Sequence, residues 1–287
     1  MATNLLKNGK NVIVFDLNKG SVDHLKGFGA SSAESPAEVA SQAKTLITML
    51  PSSPHVQKVY MQDSGIFSQV GVGSLLIDCS TIDPEVARDV ARISREKGVR
   101  FVDAPVSGGT IGAQNATLTF MVGALAKDFE EASQVLQLMG KNVLHCGEPG
   151  NGQVAKLCNN LILGITMAGV SEAFNLGKRM GMDPKVLADV VNCSSGRSWS
   201  SDTYNPCPGV MEGVPSAREY SGGFACDLMI KDLSLATSAG FFSKSPLPMG
   251  AAAQQIYSVM SSQGPFSKPG LLSPQTNIPA LFSGPKT

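Results

Sequence analysis

The stretch SLLIDCSTIDPEVARDVARISREKGVRFVDAPVSGG, residues 74–109, decides the fold of the first half of the chain. Its first apolar segment, 74–78, is followed by a helical pattern that begins after Asp83 and stops at Gly98. Proline suits the first turn of a helix, and glycine suits the position just past its end. A second apolar segment, 99–102, follows. A strand, a helix and another strand in this order predict a βαβ unit with parallel strands.

The same alternation continues on both sides of this unit. Further strand candidates are 12–15, 45–50, 118–122 and 142–144. After Gly150 the strand-like runs disappear, and apolar residues recur at the helical period. These patterns predict an α/β domain in residues 1–148 and an all-helical domain in residues 149–260. The last stretch, 261–287, contains five prolines and no acidic residue, so we expect a disordered tail there.

The overall composition argues against several classes of protein. The 23 Lys and Arg residues balance 23 Asp and Glu residues with no basic run, which argues against nucleic-acid binding. No stretch approaches ~18 uninterrupted apolar residues, so we expect no membrane span. The six cysteines are scattered, without C-x-x-C pairs or histidines at metal-ligand spacing. This predicts reduced thiols and no metal site.

The beginning of the chain has the helix and second strand expected of a dinucleotide-binding unit, without the first strand and Gly-rich turn. Residues 1–9 have the pattern of a helix that ends at Gly9, and the next strand ends in Asp16. A carboxylate there is typical of the second strand, where it accepts hydrogen bonds from an adenosine ribose. Gly71-Val72-Gly73 precedes a strand, whereas a phosphate-binding turn must follow one. We therefore expect a Rossmann-type, doubly wound parallel sheet that lacks its first, central strand, with the strand's two neighbours unpaired. An ordinary loop aspartate is the alternative reading of Asp16.

Two motifs carry residue types that suit a small carboxylate-bearing alcohol. In DAPVSGG, residues 103–109, successive backbone N–H groups lie beside small side chains, which suits an anion. In GQVAKLCNN, residues 152–160, Lys156 and Asn160 lie four apart on one face of a predicted helix. A plain turn and a solvated surface lysine are the competing interpretations.

Together with KDL at residues 231–233, these motifs resemble the beta-hydroxyacid dehydrogenase family from Met1 to about Met260. The resemblance implies NAD-dependent oxidation of a small hydroxy acid, with 3-hydroxyisobutyrate from valine breakdown as the first candidate. It implies Lys156 as the general acid/base, and a lysine can act so only where its surroundings lower its pKa toward neutrality. The implied substrate-binding residues are Ser107, Gly108, Gly109 and Asn160.

The resemblance also implies a set of residues that bind the cofactor. They are Asp16, Leu50, Pro51, His55, Ser80, Thr81 and Lys231. Asp16 favours NAD over NADP because a carboxylate repels a 2′-phosphate. The family usually has an asparagine in place of His55, so this contact differs, and the C-terminal tail departs from the family pattern.

Several alternatives stay open at this stage. A related reductase of glyoxylate, tartronate semialdehyde or succinic semialdehyde would use the same motifs. A catalytically inactive protein, either a scaffold or a truncated form without NAD binding, would follow from the missing phosphate-binding turn. The resemblance implies a homodimer or homotetramer in mitochondria. No import signal is visible in the sequence, and the cytoplasm is the alternative location.

Overall fold

The computed structural model describes residues 1–262, which fall into two compact units divided between Lys156 and Leu157. The first unit consists of α1 (Ala2–Lys7), β1 (Ile13–Val14), α2 (Lys19–Lys26), β2 (Ser31–Ser32), α3 (Pro36–Gln42), β3 (Thr45–Thr48), α4 (Ser53–Met61), β4 (Leu75–Asp78), α5 (Pro84–Glu96), β5 (Arg100–Asp103), β6 (Val106–Ser107), α6 (Gly109–Gln114), β7 (Leu118–Gly123), α7 (Ala126–Leu136) and β8 (Gly140–Gly147). Helix α8 (Asn151–Arg179) begins in the first unit and continues into the second. The second unit adds α9 (Pro184–Asn192), α10 (Trp199–Asp202), α11 (Cys226–Phe242) and α12 (Pro248–Ser262). The expected boundary at residue 148 stays a prediction. Of the expected disordered tail, residues 261 and 262 belong to α12, and residues 263–287 lie outside the described residues.

The helix ends that the sequence predicts are present in the structure, at the same capping and glycine residues. The Asp83 side chain accepts a hydrogen bond from the Glu85 N–H, so it caps the start of α5. After α5 the chain turns at Gly98 with φ +68°, and after α1 it turns at Gly9 with φ +71°. Glycine adopts this left-handed conformation at little cost, which explains why both helices stop there.

The larger sheet contains six strands in the order β3-β4-β5-β7-β6, with β8 paired to β7. Strands β3, β4 and β5 are parallel, as predicted, and so are β7 and β8. The sheet is nevertheless mixed, because β7 runs antiparallel to β5 and β6. The connection from β6 to β7 holds only the short α6, and parallel neighbours need a longer crossover.

The smaller sheet consists of β1 and β2 alone. Among residues 1–262, β1 pairs only with β2 and β3 pairs only with β4. In a dinucleotide-binding sheet one further strand would lie between β1 and β3. Within the described residues, β1 and β3 thus each pair with one strand, and they belong to different sheets.

The central strands β4 and β5 are buried on both faces, which explains their largely apolar sequences. Leu75 and Ile77 of β4 belong to one core cluster, while Leu76 belongs to the other, because successive side chains point to opposite faces. Leu5 of α1 packs against the first cluster. In the second unit, α8, α11 and α12 share a cluster that includes Leu233.

Among the described helices, α8 is long and apolar enough to cross a membrane by length and composition alone. The core helices of soluble proteins also meet these two criteria. Met167 and Phe174 of α8 are buried in two apolar clusters of the second unit. We therefore interpret α8 as a core helix.

Candidate active site

The carboxyl ends of three parallel strands lie side by side at one edge of the larger sheet. Thr48 ends β3 opposite Asp78, and Asp78 ends β4 opposite Asp103 of β5. Open α/β sheets bind their ligands at this edge. The loops that follow β3, β4 and β5, which carry predicted site residues of the first unit, therefore start at neighbouring positions on this edge.

The loops after β3 and β4 are joined through one buried carboxylate. Asp78 Oδ1 accepts hydrogen bonds from Thr48 Oγ1 at 2.8 Å, Ser80 Oγ at 2.6 Å and the Ser80 N–H at 3.2 Å. Ser80 Oγ in turn accepts the Leu50 N–H at 2.8 Å. Burial raises the pKa of Asp78, and the hydrogen bonds from Ser80 and Thr48 oppose that rise. Ser80 thus holds Leu50 in place, and its predicted direct contact with the cofactor stays a prediction.

Two other predicted cofactor residues of the first unit, Asp16 and His55, lie at the surface. Asp16 is exposed after β1, and its Oδ1 accepts the Asn18 N–H at 2.8 Å. This local turn is what the ordinary-loop reading expects, and the exposed carboxylate also suits ribose hydroxyls. His55 lies in the first turn of α4, where its Nδ1 shares a hydrogen bond of 2.7 Å with Ser52 Oγ.

The Ser-Gly-Gly segment has a conformation that depends on its glycines. Ser107 ends β6, Gly108 follows with φ +128°, and Gly109 has φ +61°. Two consecutive residues in this region need glycine. A Cβ atom on Gly109 would meet nothing within 4 Å, so a ligand can approach its backbone closely. The segment therefore suits the predicted carboxylate-binding concavity.

The start of α8 is held by a carboxylate that the sequence analysis left without a role. Asp103 Oδ1 accepts the Gly150 N–H at 2.6 Å, and Asp103 Oδ2 accepts the Gln153 N–H at 2.9 Å. Asp103 also begins the DAPVSGG motif. Burial raises the pKa of Asp103 to about 7, although the two N–H donors act in the opposite direction. The substrate motif and the helix of Lys156 are thus joined through one side chain.

The side chain of Gln153 makes a second link from α8, also missed in the sequence. Gln153 Nε2 donates to the Ser80 carbonyl at 2.8 Å, and Gln153 Oε1 accepts the Ile82 N–H at 3.0 Å. Gln153 is fully buried. The loop after β4, which carries the predicted cofactor residues Ser80 and Thr81, is therefore tied to the first turn of α8.

Lys156 follows one turn beyond this start of α8, and it is buried, with 6% of its surface exposed. The competing interpretation of a solvated surface lysine is therefore wrong. A buried lysine is uncommon, because transfer of its charge out of water is unfavourable without interacting groups. Such a position is typical of functional lysines.

In the second unit, Asn160 and the KDL motif form a buried polar cluster. Asn160 Nδ2 donates to Asp232 Oδ2 at 2.5 Å, and Lys231 Nζ lies 3.2 Å from Asp232 Oδ1. Asn160 and Asp232 are both buried. Asp232 had no assigned role in the sequence analysis, although it stands inside the quoted motif. Its carboxylate orients the predicted substrate-binding amide and pairs with the predicted cofactor-binding lysine.

The residues of the first unit suit parts of a dinucleotide. The exposed carboxylate of Asp16 suits a ribose, and the loops after β3 and β4 begin at aligned strand ends, where such sheets bind their ligands. The Gly150-Asn151-Gly152 turn follows β8 and opens α8, but the Gly150 N–H and the Gln153 N–H beyond the turn donate to Asp103, and the Asn151 N–H donates to the Glu148 carbonyl.

Comparison with known proteins agrees with these features. The NAD binding domain of 6-phosphogluconate dehydrogenase matches residues 1–147, and the NAD-binding domain of NADP-dependent 3-hydroxyisobutyrate dehydrogenase matches residues 150–268. A probable mitochondrial 3-hydroxyisobutyrate dehydrogenase of Dictyostelium discoideum is 53% identical, over 92% of this chain and 82% of its own length. An NAD-dependent L-serine dehydrogenase of Pseudomonas aeruginosa is 47% identical, over 92% of this chain and 89% of its own. The solved structure of Mycobacterium tuberculosis 3-hydroxyisobutyrate dehydrogenase with L-serine matches with a TM-score of 0.90 and 32% identity, covering 98% of this chain and 92% of that one.

Proposed function

Because this chain belongs to the beta-hydroxyacid dehydrogenase family, we propose that it oxidises 3-hydroxyisobutyrate to methylmalonate semialdehyde, with NAD as the hydride acceptor. The family relationship makes the chain an NAD-dependent hydroxyacid dehydrogenase, and the choice of substrate is the proposal. The observation that supports it is the burial of Lys156 in α8. The start of this helix is hydrogen-bonded to Asp103, the first residue of the DAPVSGG motif.

The proposed roles follow from the chemistry of alcohol oxidation. Lys156, in its neutral form, accepts the hydroxyl proton as the carbon–oxygen double bond forms, and in the reverse direction its ammonium donates that proton. Bound NAD would supply the acceptor for the hydride that leaves the hydroxyl-bearing carbon. Ser107, Gly108 and Gly109 bind the carboxylate through backbone N–H groups and the serine hydroxyl. Asn160 orients the hydroxyl by a hydrogen bond.

On the cofactor side, Asp16 would accept hydrogen bonds from the adenosine ribose and disfavour a 2′-phosphate. The strand-end residues Leu50, Pro51, Ser80 and Thr81 would lie along the cofactor, and His55 would stand in place of the usual asparagine. Lys231 would contact the cofactor from the KDL motif. We also propose a mitochondrial location, as in the name of the Dictyostelium relative, and a homodimer or homotetramer.

L-serine is the second candidate substrate. It is favoured by the Pseudomonas relative that is named for it and by the Mycobacterium structure that contains it. Both candidates are 3-hydroxy carboxylates, so the same base and the same carboxylate site serve both. They differ at the second carbon, which carries a methyl group in one and an ammonium in the other. A closed pocket that suits a methyl group disfavours an ammonium, and the reverse also holds. The ratio of the two kcat/KM values therefore shows which substrate the pocket prefers.

A substrate panel tests the proposal. The purified protein is assayed for NADH formation with 3-hydroxyisobutyrate and L-serine, and for NADH consumption with glyoxylate, tartronate semialdehyde and succinic semialdehyde. We expect the highest kcat/KM for 3-hydroxyisobutyrate, and lower values with NADP than with NAD. A higher value for L-serine or for glyoxylate would move the assignment to that substrate.

Calorimetric titration with NAD separates all these activities from the inactive reading. The enzyme proposal requires heat of binding that saturates. Absence of heat at millimolar NAD, together with no turnover of any substrate, would identify a chain that does not bind its cofactor and would overturn the proposal.

A further inference from the structure

The start of α8 has four hydrogen bonds beyond those of an ordinary helix. The first N–H groups of a helix have no partner within it, and they need acceptors when they are buried. Here Asp103 accepts two of the N–H groups around the start, from Gly150 and Gln153. A carboxylate at this end also interacts favourably with the helix dipole. The Gln153 side chain adds its two bonds to the loop after β4.

Close packing leaves this arrangement little freedom. A Cβ atom on Gly152 would lie 2.7 Å from Asp103 Oδ2 and 2.8 Å from the Gly123 nitrogen, and closer still to the Met121 carbonyl. A Cβ atom on Gly123 would likewise overlap the Asp103 carboxylate. The start of α8 and strand β7 therefore enclose Asp103 with no space for a larger residue. Gly152 is needed here for packing and not for a phosphate.

We propose that Asp103 and Gln153 are positioning residues, which fix Lys156 relative to the substrate segment and to the loop after β4. The inference rests on the proposed function of Lys156. Lys156 follows Gln153 by three residues in a continuous helix, so a shift or rotation of the first turn moves its amine directly. Asp103 lies four residues before Ser107 in the same motif. The positions of the proposed base and of the proposed carboxylate site therefore both depend on Asp103. Misplacement of a reacting group by ~1 Å can lower a rate by ~10²-fold.

Single substitutions give the first test. Asp103→Asn keeps the size of the side chain but presents an amide N–H to a backbone N–H, so one of the two bonds is replaced by repulsion. Gln153→Met keeps the volume of the side chain and removes both of its bonds. We expect each variant to lower kcat about 10- to 100-fold, with much smaller changes in KM for the hydroxy acid. Asp128→Asn is the matched control, because Asp128 is a buried carboxylate of α7 that faces Arg100 and not α8. It should keep the wild-type kcat.

A double-mutant cycle then separates positioning from a general structural role. We expect methylamine, which is not attached to α8, to restore part of the turnover in Lys156→Ala protein. We expect Asp103→Asn to leave the methylamine-supported rate within about twofold, since no lysine remains to be positioned. An equal loss in both backgrounds would overturn the inference. A crystal structure of Asp103→Asn adds a readout without activity, and we expect the start of α8 to move away from β5. An unmoved helix together with a full loss of kcat would also contradict positioning.

The outcomes distinguish the inference from the function on which it rests. If the wild-type protein turns over no hydroxy acid, the proposed function fails and the inference falls with it. If the wild type is active but Asp103→Asn and Gln153→Met both retain its kcat, only the positioning inference fails. Should Asp103→Asn not fold, Gln153→Met and its cycle with Lys156→Ala decide the question alone.

Discussion

Asp78 and Asp103 occupy paired positions at the ends of neighbouring strands, both are fully buried, and yet they serve different partners. Asp78 uses a single oxygen, Oδ1, for all three of its hydrogen bonds, two of which come from hydroxyl groups. Asp103 uses both oxygens, and each accepts a backbone N–H. One carboxylate thus holds the loops that carry the proposed cofactor-binding residues, and the other holds the start of the helix that carries the proposed base. Two aspartates at paired positions of neighbouring strands therefore differ in their hydrogen-bond partners, and we expect them to differ in their tolerance of substitution.

A large effect on both rate and stability is expected from filling the space beside Asp103. Gly152→Ala puts a methyl group against the Met121 carbonyl and the Asp103 carboxylate, so α8 must move. We expect kcat to fall by about 10²-fold or more and the free energy of unfolding by about 3 kcal/mol. Steady-state kinetics and urea unfolding measure both.

Gly169→Ala in the same helix is the control for this substitution. A Cβ atom there would meet nothing within 4 Å, so the helix gains propensity without a clash. Stability should rise by about 0.5–1 kcal/mol at unchanged kcat. Equal behaviour of the two alanine variants would show that the start of α8 is not closely packed.

The paired substitutions Asp103→Asn and Asp78→Asn test the comparison itself. An asparagine at position 78 can keep all three bonds through its carbonyl oxygen, and it removes a charge that burial disfavours. An asparagine at position 103 also removes a charge that burial disfavours, but it must direct an amide N–H at the N–H of Gly150 or Gln153. Urea unfolding should show a loss of about 2 kcal/mol for Asp103→Asn and less than about 1 kcal/mol for Asp78→Asn. The reverse order would contradict the different roles of the two carboxylates.

A smaller effect is expected in the pH dependence of stability. Burial raises the pKa of Asp103 from 3.8 to about 7, with the neighbouring Asp78 adding to the rise. The folded state therefore holds more protons than the unfolded state between these two values, so this group's contribution to stability falls as the pH rises. From pH 5 to pH 6 the fall amounts to about 1 kcal/mol. Urea unfolding at both values should show this slope in the wild type and a flatter slope in Asp103→Asn. Identical slopes would mean that Asp103 titrates normally.

The sequence was sufficient for features that depend on neighbouring residues. Asp83 caps α5 through an N–H two residues away, and Gly98 ends that helix by its own conformation, so both were predictable. Strands β2 and β6, of two residues each, were not predicted, because neither lies in an apolar run and each is defined by its pairing.

The predicted site residues were recognisable by motif, whereas the residues that orient them were not. Asp103 bonds to N–H groups 47 and 50 residues away, and the Asn160 amide reaches Asp232 over 72 residues. No local pattern reports such contacts. The apolar residues around Lys156 in the sequence partly indicated its burial. The catalytic role of Lys156 and the roles of the other site residues stay predictions.

The most direct test of the account compares two lysines on α8 that differ in burial. Lys156 is buried in the first turns of the helix, and Lys178 is exposed near its end. With 3-hydroxyisobutyrate and NAD, Lys156→Ala should lower kcat about 10³-fold, as expected for loss of a general acid/base, while Lys178→Ala should match the wild type. Wild-type turnover by Lys156→Ala would contradict the central claim that this buried lysine carries the proton.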